Sequence, residues 1–384
     1  MEISVRKFDL LKELLLLQGA VERKTTIPIL GNILAEATPE GRLLLSATDL
    51  ELAMETACAA NVKKSGACAL PARKLLDYVK LLPDAAITLK RLENHWVSLR
   101  CGRANTRMVG MSRENFPELP VFPPTGALQL PAGPLKAMIP KTAFAVANEE
   151  TRYTLNGALM VLKPSSLALV TTDGHRLAHI AQDGLTLGGV AGEIKALVPK
   201  KAMAELATLL ESVDDEANLE FAQDDTHLYF RVPNDGAEAG SDGAMRLLSV
   251  RKLSGQFPNY EAVLPKAQLH SVPLERGEFT ASVARVEQFA DPRSHAIRVK
   301  LEPGKLIISA SSSDMGESEE ELEAKYDGEP VVIGFNAEYL LQFLGAVSED
   351  QVVLEFKDEA SAAQLRPVDG SGAQYRYVVM PMRI

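Results

Sequence analysis

The chain of 384 residues has little cysteine, and its three cysteines are Cys58, Cys68 and Cys101. They give no even disulfide framework and no Cys-x-x-Cys spacing, which excludes a zinc ribbon and is typical of reduced cytosolic thiols. The first residues lack the basic and small-residue regions of a signal peptide. The longest early apolar run, residues 14–17, is too short to cross a bilayer. We therefore expect a cytoplasmic protein that makes no membrane contact.

Nucleotide-binding loops are also missing. The chain has no Gly-x-x-x-x-Gly-Lys-Ser/Thr motif and no dinucleotide fingerprint. Its net charge of −10 argues against a simple basic nucleic-acid-binding protein. The charge is uneven, however: Lys and Arg against Asp and Glu number 17 to 14 in residues 1–125, 12 to 17 in 126–262 and 12 to 20 in 263–384. An acidic protein still presents a basic surface when its basic residues are segregated on one face.

What the chain does contain is a threefold repeat. Helical periodicity predicts helices over 4–18 and 75–82, then 133–147 and 202–210, then 276–289 and 339–344. Aspartate turns recur at Asp49, Asp173 and Asp314, and spacings of 124 and 141 residues correspond to whole domains. We predict an α+β fold of three tandem copies (1–125, 126–262 and 263–384), each with two helices packed on antiparallel sheets of about eight strands. The low-complexity segment 234–243 is predicted to be an extended hairpin loop with a disordered tip.

The most reactive-looking stretch is 171–178, which gathers Asp173, His175 and Arg176 beside a glycine. A hydrolase centred on these residues is one interpretation, but no partnered nucleophile accompanies them. His175 and His179 have the spacing of a helical metal pair, yet on a strand they would stand roughly 13 Å apart and a third ligand is missing. Because an aspartate turn recurs in each copy, a structural turn is favoured. We expect no enzyme activity, no metal and no cofactor.

Basic residues cluster where the second helix of a copy begins. The pairs Arg73-Lys74 and Lys200-Lys201 stand there in the first and second copies. Further cations lie on or beside predicted helices: Lys7, Lys12, Arg23, Lys24, Lys80, Lys136, Lys141 and Arg152. A helix amino terminus adds its own positive end, so phosphate contact is one interpretation and a solvated surface is the other. The third copy carries Glu338 in its second helix, so its share of such contact should be weaker.

Several motifs carry a resemblance to a known family. They are Ile27-Pro28-Ile29-Leu30-Gly31-Asn32, Arg152-Tyr153-x-Leu155-Asn156-Gly157, Thr171-Thr172-Asp173-Gly174-His175-Arg176-Leu177, Phe335-Asn336-x-x-Tyr339 and Tyr377-Val378-Val379-Met380-Pro381-Met382-Arg383. Over its whole length the chain resembles the β subunit of bacterial DNA polymerase III, the sliding clamp. The resemblance implies three DNA-clamp (processivity-fold) domains and a head-to-tail homodimer ring around double-stranded DNA. It also implies a non-catalytic processivity subunit; a scaffold without a DNA role is the other non-enzymatic alternative.

The resemblance also implies two sets of site residues. A pocket between the second and third predicted domains would take a short motif of the replicative polymerase alpha subunit, the clamp loader and other clamp-binding-motif proteins. Its expected residues are Leu155, Thr172, Gly174, His175, Arg176, Leu177, Pro265, Asn336, Tyr339, Val378, Val379, Met380, Pro381 and Met382. For DNA contact the resemblance implies Arg23 or Lys24, Arg152 and Tyr153, and the basic residues at the predicted helices add Arg73, Lys74, Lys136, Lys141, Lys200 and Lys201 to the expected DNA-binding set. Ser294, where the family has a bulky apolar residue, and Ile384, where Leu is usual, depart from the pattern.

Overall fold

The computed structural model describes residues 1–22, 26–148, 153–233, 245–265, 268–368 and 372–383. Arg23, Lys24, Arg152, Ile384 and the predicted loop 234–243 lie outside these residues. The helices of the described chain are α1 Lys7–Leu16, α2 Ala72–Leu81, α3 Ala132–Ala143, α4 Lys200–Leu210, α5 Arg276–Glu287 and α6 Ala337–Ala346. Each predicted copy therefore holds two helices, as the periodicity predicts. None of the helices in the described residues is long and apolar enough to cross a membrane.

The part of the first predicted copy that the structure describes contains nine strands: β1 Glu2–Arg6, β2 Asn32–Thr38, β3 Arg42–Thr48, β4 Leu52–Ala59, β5 Asn61–Lys64, β6 Gly66–Pro71, β7 Ala86–Arg91, β8 Trp96–Cys101 and β9 Ala104–Val109. The start of α1 was predicted three residues too early. Residues 4–6 belong to β1 instead, because Ile3 and Val5 alternate into the core with the period of a strand.

In the other two copies, the described residues form eight strands each. In the second they are β10 Leu128–Pro131, β11 Gly157–Lys163, β12 Ser166–Thr172, β13 Arg176–Asp183, β14 Ile194–Pro199, β15 Asn218–Gln223, β16 His227–Pro233 and β17 Met245–Arg251. In the third they are β18 His270–Glu275, β19 Ala296–Glu302, β20 Lys305–Ser312, β21 Gly316–Glu323, β22 Val331–Asn336, β23 Gln351–Phe356, β24 Ala363–Pro367 and β25 Ala373–Val379.

The chain forms two compact units that do not follow the predicted copies. Unit one is Met1–Lys136 with Lys201–Lys252, and unit two is Ala137–Lys200 with Leu253–Ile384. Unit one holds a five-stranded sheet, β5-β1-β7-β8-β9, and an eight-stranded sheet, β10-β15-β16-β17-β4-β3-β2-β6. Unit two holds an eight-stranded sheet, β18-β23-β24-β25-β13-β12-β11-β14, and a four-stranded sheet, β21-β20-β19-β22. The domain boundaries at 125 and 262 stay a prediction.

Each eight-stranded sheet joins strands of two successive copies, and the two sheets have the same strand order. We call the antiparallel ladder between β4 and β17 the first joint and the ladder between β13 and β25 the second joint. The registers also agree. At the first joint Arg251 N–H donates to Glu51 O at 2.8 Å, and at the second Met380 N–H donates to His175 O at 2.9 Å. Residues at the two joints can therefore be compared one by one.

A buried ion pair supports the first joint. The Arg246 guanidinium on β17 donates to both carboxylate oxygens of Glu13 on α1, at 2.9 and 3.1 Å. Arg246 is fully buried, and Thr56 also donates to Glu13. At the second joint the same register position holds Tyr375, whose hydroxyl donates to Lys141 O at 2.6 Å. The two joints thus share a backbone arrangement, but an ion pair supports the first and a tyrosine hydroxyl hydrogen bond supports the second.

The predicted aspartate turn is present in all three copies, but its length differs in the third. Hairpin pairing ends at Thr48 with Ala53 and at Thr172 with Leu177, leaving four residues in each turn. In the third copy pairing continues to Ser312 with Gly316, leaving three residues. The third turn has a different length, so Asp314 does not occupy the position that its spacing suggested.

The three cysteines are free thiols, as predicted. Burial raises the pKa of Cys58 to about 12 and that of Cys68 to about 11. Thiols with such pKa values carry almost no reactive thiolate at neutral pH, so they are packing residues.

Candidate functional site

The turn between β12 and β13 is shaped by its own side chains. Thr172 Oγ1 donates to Arg176 O at 2.5 Å and accepts the Gly174 N–H at 3.1 Å. Asp173 Oδ1 accepts the N–H groups of His175 and Arg176 at 2.9 and 3.1 Å. Gly174 has φ 92°, a left-handed conformation that glycine adopts without strain. The carboxylate of Asp173 is therefore occupied in holding the turn, as the structural interpretation predicts.

Arg176 is a buried cation with several partners. Its side chain is 7% exposed and its Nε lies 3.0 Å from Asp173 Oδ2. The guanidinium also donates to Phe144 O at 2.7 Å and to Gln342 Oε1, and it stacks 4.2 Å above the Tyr339 ring. A buried guanidinium with its hydrogen bonds satisfied fixes the position of neighbouring groups. Arg176 thereby links the turn to α6.

An apolar cavity of ≈ 130 Å³ lies beside this turn in unit two. The turn with β13, the end of β25 and the linker before β18 each contribute to its lining: Leu155, Thr172, Gly174, His175, Arg176, Leu177, Pro258, Tyr260, Val263, Val378 and Met380. Met380 is 42% exposed at the rim, and Leu177 and Val378 form the buried floor. Such a concave apolar site with a few polar groups is typical of ligand recognition.

Eight residues expected in the pocket line this cavity together: Leu155, Thr172, Gly174, His175, Arg176, Leu177, Val378 and Met380. The sequence prediction missed Pro258, Tyr260 and Val263 of the linker. The signal was available, because Phe257-Pro258 repeats the Phe116-Pro117 of the first linker. A repeated linker motif indicates a segment with a fixed place on the sheet.

The other expected pocket residues have different positions. Asn336 caps α6 by accepting the Tyr339 N–H at 3.2 Å, and Tyr339 lies below Arg176. Val379 is fully buried, and Met382 N–H pairs with Gly334 O at 2.8 Å. Pro265 and Pro381 are also outside the cavity lining. Ser294 belongs to a turn, where its N–H donates to Asp291 Oδ1 at 3.1 Å.

The predicted DNA-binding cations fall into two groups. Three are neutralised by carboxylates: Lys136 lies 3.0 Å from Asp215, Lys141 lies 3.9 Å from Glu349, and Lys201 pairs with Asp49. Others are exposed at helix amino termini. Arg73 and Lys74 begin α2, and Lys200 begins α4.

The helix-terminal group retains its charge toward solvent. Arg73 is 91% exposed and its Asp77 partner is 3.9 Å away, while Lys200 donates to the neutral Asn148 side chain at 2.5 Å. Tyr153 is 69% exposed. Among the described cations of the predicted DNA-binding set, Arg73, Lys74 and Lys200 are thus the ones most available for phosphate.

Within the described ranges, no group of three or more His, Cys, Asp and Glu side chains could hold a metal ion. His175 lies in the turn, whereas His179 stacks on Tyr260 with ring centroids 5.7 Å apart. The two histidines therefore have separate structural roles.

Three family models match successive parts of the chain. They describe the N-terminal, central and C-terminal domains of the DNA polymerase III beta subunit, over residues 1–120, 129–240 and 261–383. The chain belongs to this family. It is 34% identical to the beta sliding clamp of Caulobacter vibrioides over 399 aligned residues, which cover 100% of both proteins. The predicted resemblance and the α+β fold with three clamp domains are confirmed.

Solved clamp structures agree with this assignment. A sliding clamp from Pseudomonas aeruginosa bound to griselimycin matches with a TM-score of 0.90 and 30% identity, over 100% of both chains. One from Bartonella birtlesii, also bound to griselimycin, matches with a TM-score of 0.90 and 31% identity, again over 100% of both chains. The chain thus shares both the fold and the full length of known beta sliding clamps.

Proposed function

We propose that this sliding clamp closes as a head-to-tail homodimer around double-stranded DNA and tethers replication proteins through the apolar cavity. The observation that carries the proposal is the pair of incomplete sheets. Strand β9 ends the five-stranded sheet of unit one, and β21 ends the four-stranded sheet of unit two. Both present an unpaired backbone edge within the described residues, and such edges favour pairing with another chain.

The threefold repeat indicates which strand would pair with each of these two edges. Each eight-stranded sheet consists of two four-stranded halves that pair along their end strands. One half ends in the last strand of a copy, which is β17 or β25. The other half ends in the fourth strand of the preceding copy, which is β4 or β13. Strand β9 corresponds to β17 and β25, and β21 corresponds to β4 and β13. Pairing β9 of one protomer with β21 of another would give a third sheet with the order β5-β1-β7-β8-β9-β21-β20-β19-β22, which repeats the eight-stranded order and adds β5 at one edge. Two such sheets would close a dimer in which neither β9 nor β21 presents a free edge.

Charge supports this pairing. Leu177 faces Val378 at the second joint, and Ala53 faces Ser249 at the first. The same register would set Arg107 of β9 opposite Glu317 of β21, on the face away from the helices. Exposed residues follow on both strands, with Arg103 before β9 and Glu319, Glu321 and Glu323 along β21. Opposite charges on facing strands stabilise a sheet and select its partner.

Sliding requires phosphate contact without sequence recognition. Arg73, Lys74 and Lys200 stand at helix amino termini, where the helix dipole adds positive potential. Contacts of this kind attract the backbone of any duplex and weaken as salt rises. The acidic remainder of the chain disfavours tight binding elsewhere, so linkage through a closed ring holds the clamp on DNA.

The cavity is suited to a short apolar segment of a partner protein. Its lining is mostly apolar, and Met380 at its rim adapts to different side chains. The polymerase alpha subunit and the clamp loader are the partners that the family implies. Griselimycin is bound in the structures of two related clamps, and we propose it as a probe of this cavity.

We propose no catalytic step. Asp173 and Arg176 are engaged in the turn, and the tethering role needs only binding. A DNA-bound clamp belongs in the cytoplasm with the bacterial chromosome. The three domains are proposed to meet at residues 125 and 262, within the two proline-containing linkers.

Retention on DNA tests the proposal. The clamp is loaded with a bacterial clamp loader and ATP on nicked circular DNA, and bound protein is then measured by gel filtration. We expect retention on the circle and rapid loss after one restriction cut. Equal loss from the intact circle would contradict the ring.

Charge reversal separates DNA contact from partner binding. Replacing Arg73, Lys74 and Lys200 with Glu should reduce loading and leave griselimycin affinity unchanged. Lys357→Glu, an exposed change in the turn after β23, is the matched control. A scaffold without a DNA role predicts no difference between the two variants.

A further inference from the structure

One wall of the apolar cavity is a linker segment whose regular structure is a single turn of 3-10 helix, Tyr260–Ala262. Residues 258–263 of the linker supply Pro258, Tyr260 and Val263 to the lining. The segment makes only a short turn, in which the N–H groups of Val263 and Leu264 donate to Tyr260 O at 3.0 and 3.2 Å. A wall of this kind keeps its place only through side-chain contacts with the sheet beneath it.

Behind this wall lies a second cavity. It has a volume of ≈ 580 Å³ and shares Pro258 and Tyr260 with the first, and Leu159, Lys195 and Leu197 complete its sheet side. The linker therefore has open space on both faces. Tyr260 packs on the buried cluster of the sheet that includes Leu159 and Leu177, so movement of its ring toward the second cavity would widen the first only if these sheet contacts are lost.

Two side chains of the sheet reach the linker from directly opposite positions. His179 on β13 and Arg376 on β25 are register partners. The His179 ring stacks on Tyr260 with centroids 5.7 Å apart and planes at 23°. Arg376 Nη2 donates to Pro265 O at 2.8 Å, while its Nε donates to Gln364 Oε1 at 2.7 Å. The two contacts fix both ends of the segment that carries Tyr260 and Val263.

The environment of His179 indicates a ring used for packing. Its Nδ1 is buried and has no hydrogen-bond partner among the described residues. Burial, with a smaller contribution from the Arg376 charge, lowers the pKa of His179 to about 4, so the ring is neutral at physiological pH. A neutral aromatic ring without a hydrogen bond at Nδ1 contributes its stacking surface.

We propose that His179 and Arg376 are positioning residues that hold the linker wall and thereby set the width of the ligand cavity. The inference rests on the proposed ligand-binding role of that cavity. It assigns a function to two side chains that do not line the cavity themselves. Ligand affinity should depend on them through Tyr260 and Val263.

Hydrogen exchange of the backbone amides tests the inference without any ligand. In His179→Ala, exchange in residues 258–265 should become about fivefold to tenfold faster, as expected for loss of one aromatic stacking contact. Exchange in β12 should not change. His179→Phe keeps a ring and should restore the slow exchange. Unchanged exchange in His179→Ala, or failure of His179→Phe to restore it, would overturn the inference.

Griselimycin binding supplies the second readout. The His179→Ala and Arg376→Ala variants should each bind it about fivefold to tenfold more weakly than the unmodified chain, and His179→Phe should bind normally. Lys163→Ala, an exposed change on β11, is the control. Met380→Glu places a charge at the rim and should nearly abolish binding. If Met380→Glu has no effect, the proposed cavity function fails; if only the His179 and Arg376 variants have none, the positioning role alone fails.

Discussion

The first and second joints share backbone topology and register but differ in their side chains. At the first joint, the turn of Thr48 and Asp49 repeats the hydrogen bonds of Thr172 and Asp173. Yet the positions that line the cavity at the second joint are filled differently. Leu50, Glu51, Leu52, Ser249 and Arg251 stand where Gly174, His175, Arg176, Val378 and Met380 line the cavity.

The turn therefore has a structural role at both joints, whereas the cavity depends on side chains that only the second joint carries. Leu52 at the first joint is a buried apolar residue, whereas Arg176 at the equivalent position connects the turn to α6. Glu51 and Arg251 place charges where His175 and Met380 form an apolar rim. One backbone therefore supports a structural joint in one sheet and a candidate binding site in the other.

The largest expected effect comes from the buried ion pair of the first joint. Glu13→Ala leaves the Arg246 charge buried without its partner and should reduce the free energy of unfolding by about 3–5 kcal/mol. Denaturant unfolding followed by fluorescence of Trp96 measures it, since this single tryptophan lies in unit one. Glu36→Ala, which removes a partly exposed pair with Arg113, should cost at most about 1 kcal/mol.

The corresponding change at the second joint should be smaller. Tyr375→Phe removes one hydroxyl hydrogen bond to Lys141 O and should cost about 1–3 kcal/mol, because a buried carbonyl loses its partner. Circular dichroism of the same denaturant titration measures it. A cost equal to that of Glu13→Ala would mean that the two joints are held by interactions of similar strength.

The proposed third joint should respond to charge. Arg107→Glu places like charges opposite Glu317 of the other protomer and should weaken the dimer about 10- to 100-fold by analytical ultracentrifugation. The double variant Arg107→Glu with Glu317→Arg should recover most of the loss. A double variant as weak as the single one would contradict the proposed register.

The turns of the first two joints differ in backbone strain. Leu50 has φ 76°, in the left-handed region that costs a non-glycine residue about 1 kcal/mol, and the second turn has Gly174 there. Leu50→Gly should therefore leave stability unchanged or raise it by up to about 1 kcal/mol, after the entropy that glycine adds to the unfolded chain. Gly174→Ala should lower it. Thermal melting distinguishes the two signs.

The smallest expected effect is a pH dependence of the second joint. The pKa of His179 is about 4 in the folded chain and near 6.5 when unfolded, so the unfolded state binds the extra proton between these values. Stability should fall as pH drops from 6.5 toward 4, and His179→Phe should reduce this slope. An unchanged slope in the variant would assign the dependence to other groups.

Local patterns predicted the repeat, the helices and the turn of Thr172 because each depends on neighbouring residues. Pro71 and Pro199 mark the residues before α2 and α4, and Asp173 bonds within three residues of itself. The pattern failed at β1, where two alternating apolar residues are too few to separate a strand from the helix that follows. It placed Asp314 in a turn correctly but did not predict that this turn is one residue shorter than the other two.

The sequence patterns did not predict contacts between residues that lie far apart in the chain. The pairing of Lys201 with Asp49 joins residues 152 apart, and it removes from the DNA-binding set a lysine that composition alone favours. Tyr260 and Val263 belong to the cavity because the linker folds back onto β13. The periodicity of apolar residues does not predict that the linker folds back onto the sheet, although the repeated Phe-Pro pair indicates that the linker has a fixed place.

The proposed ring depends most directly on the sheet that two protomers would share. A variant with Arg107→Cys and Glu317→Cys would place two cysteines opposite each other on adjacent strands, at a separation that a disulfide spans. After mild oxidation, a non-reducing gel should show a covalent dimer, whereas Arg107→Cys with Glu320→Cys, whose second cysteine points to the helix side, should stay monomeric. A monomer with free thiols in the first variant would contradict the third joint.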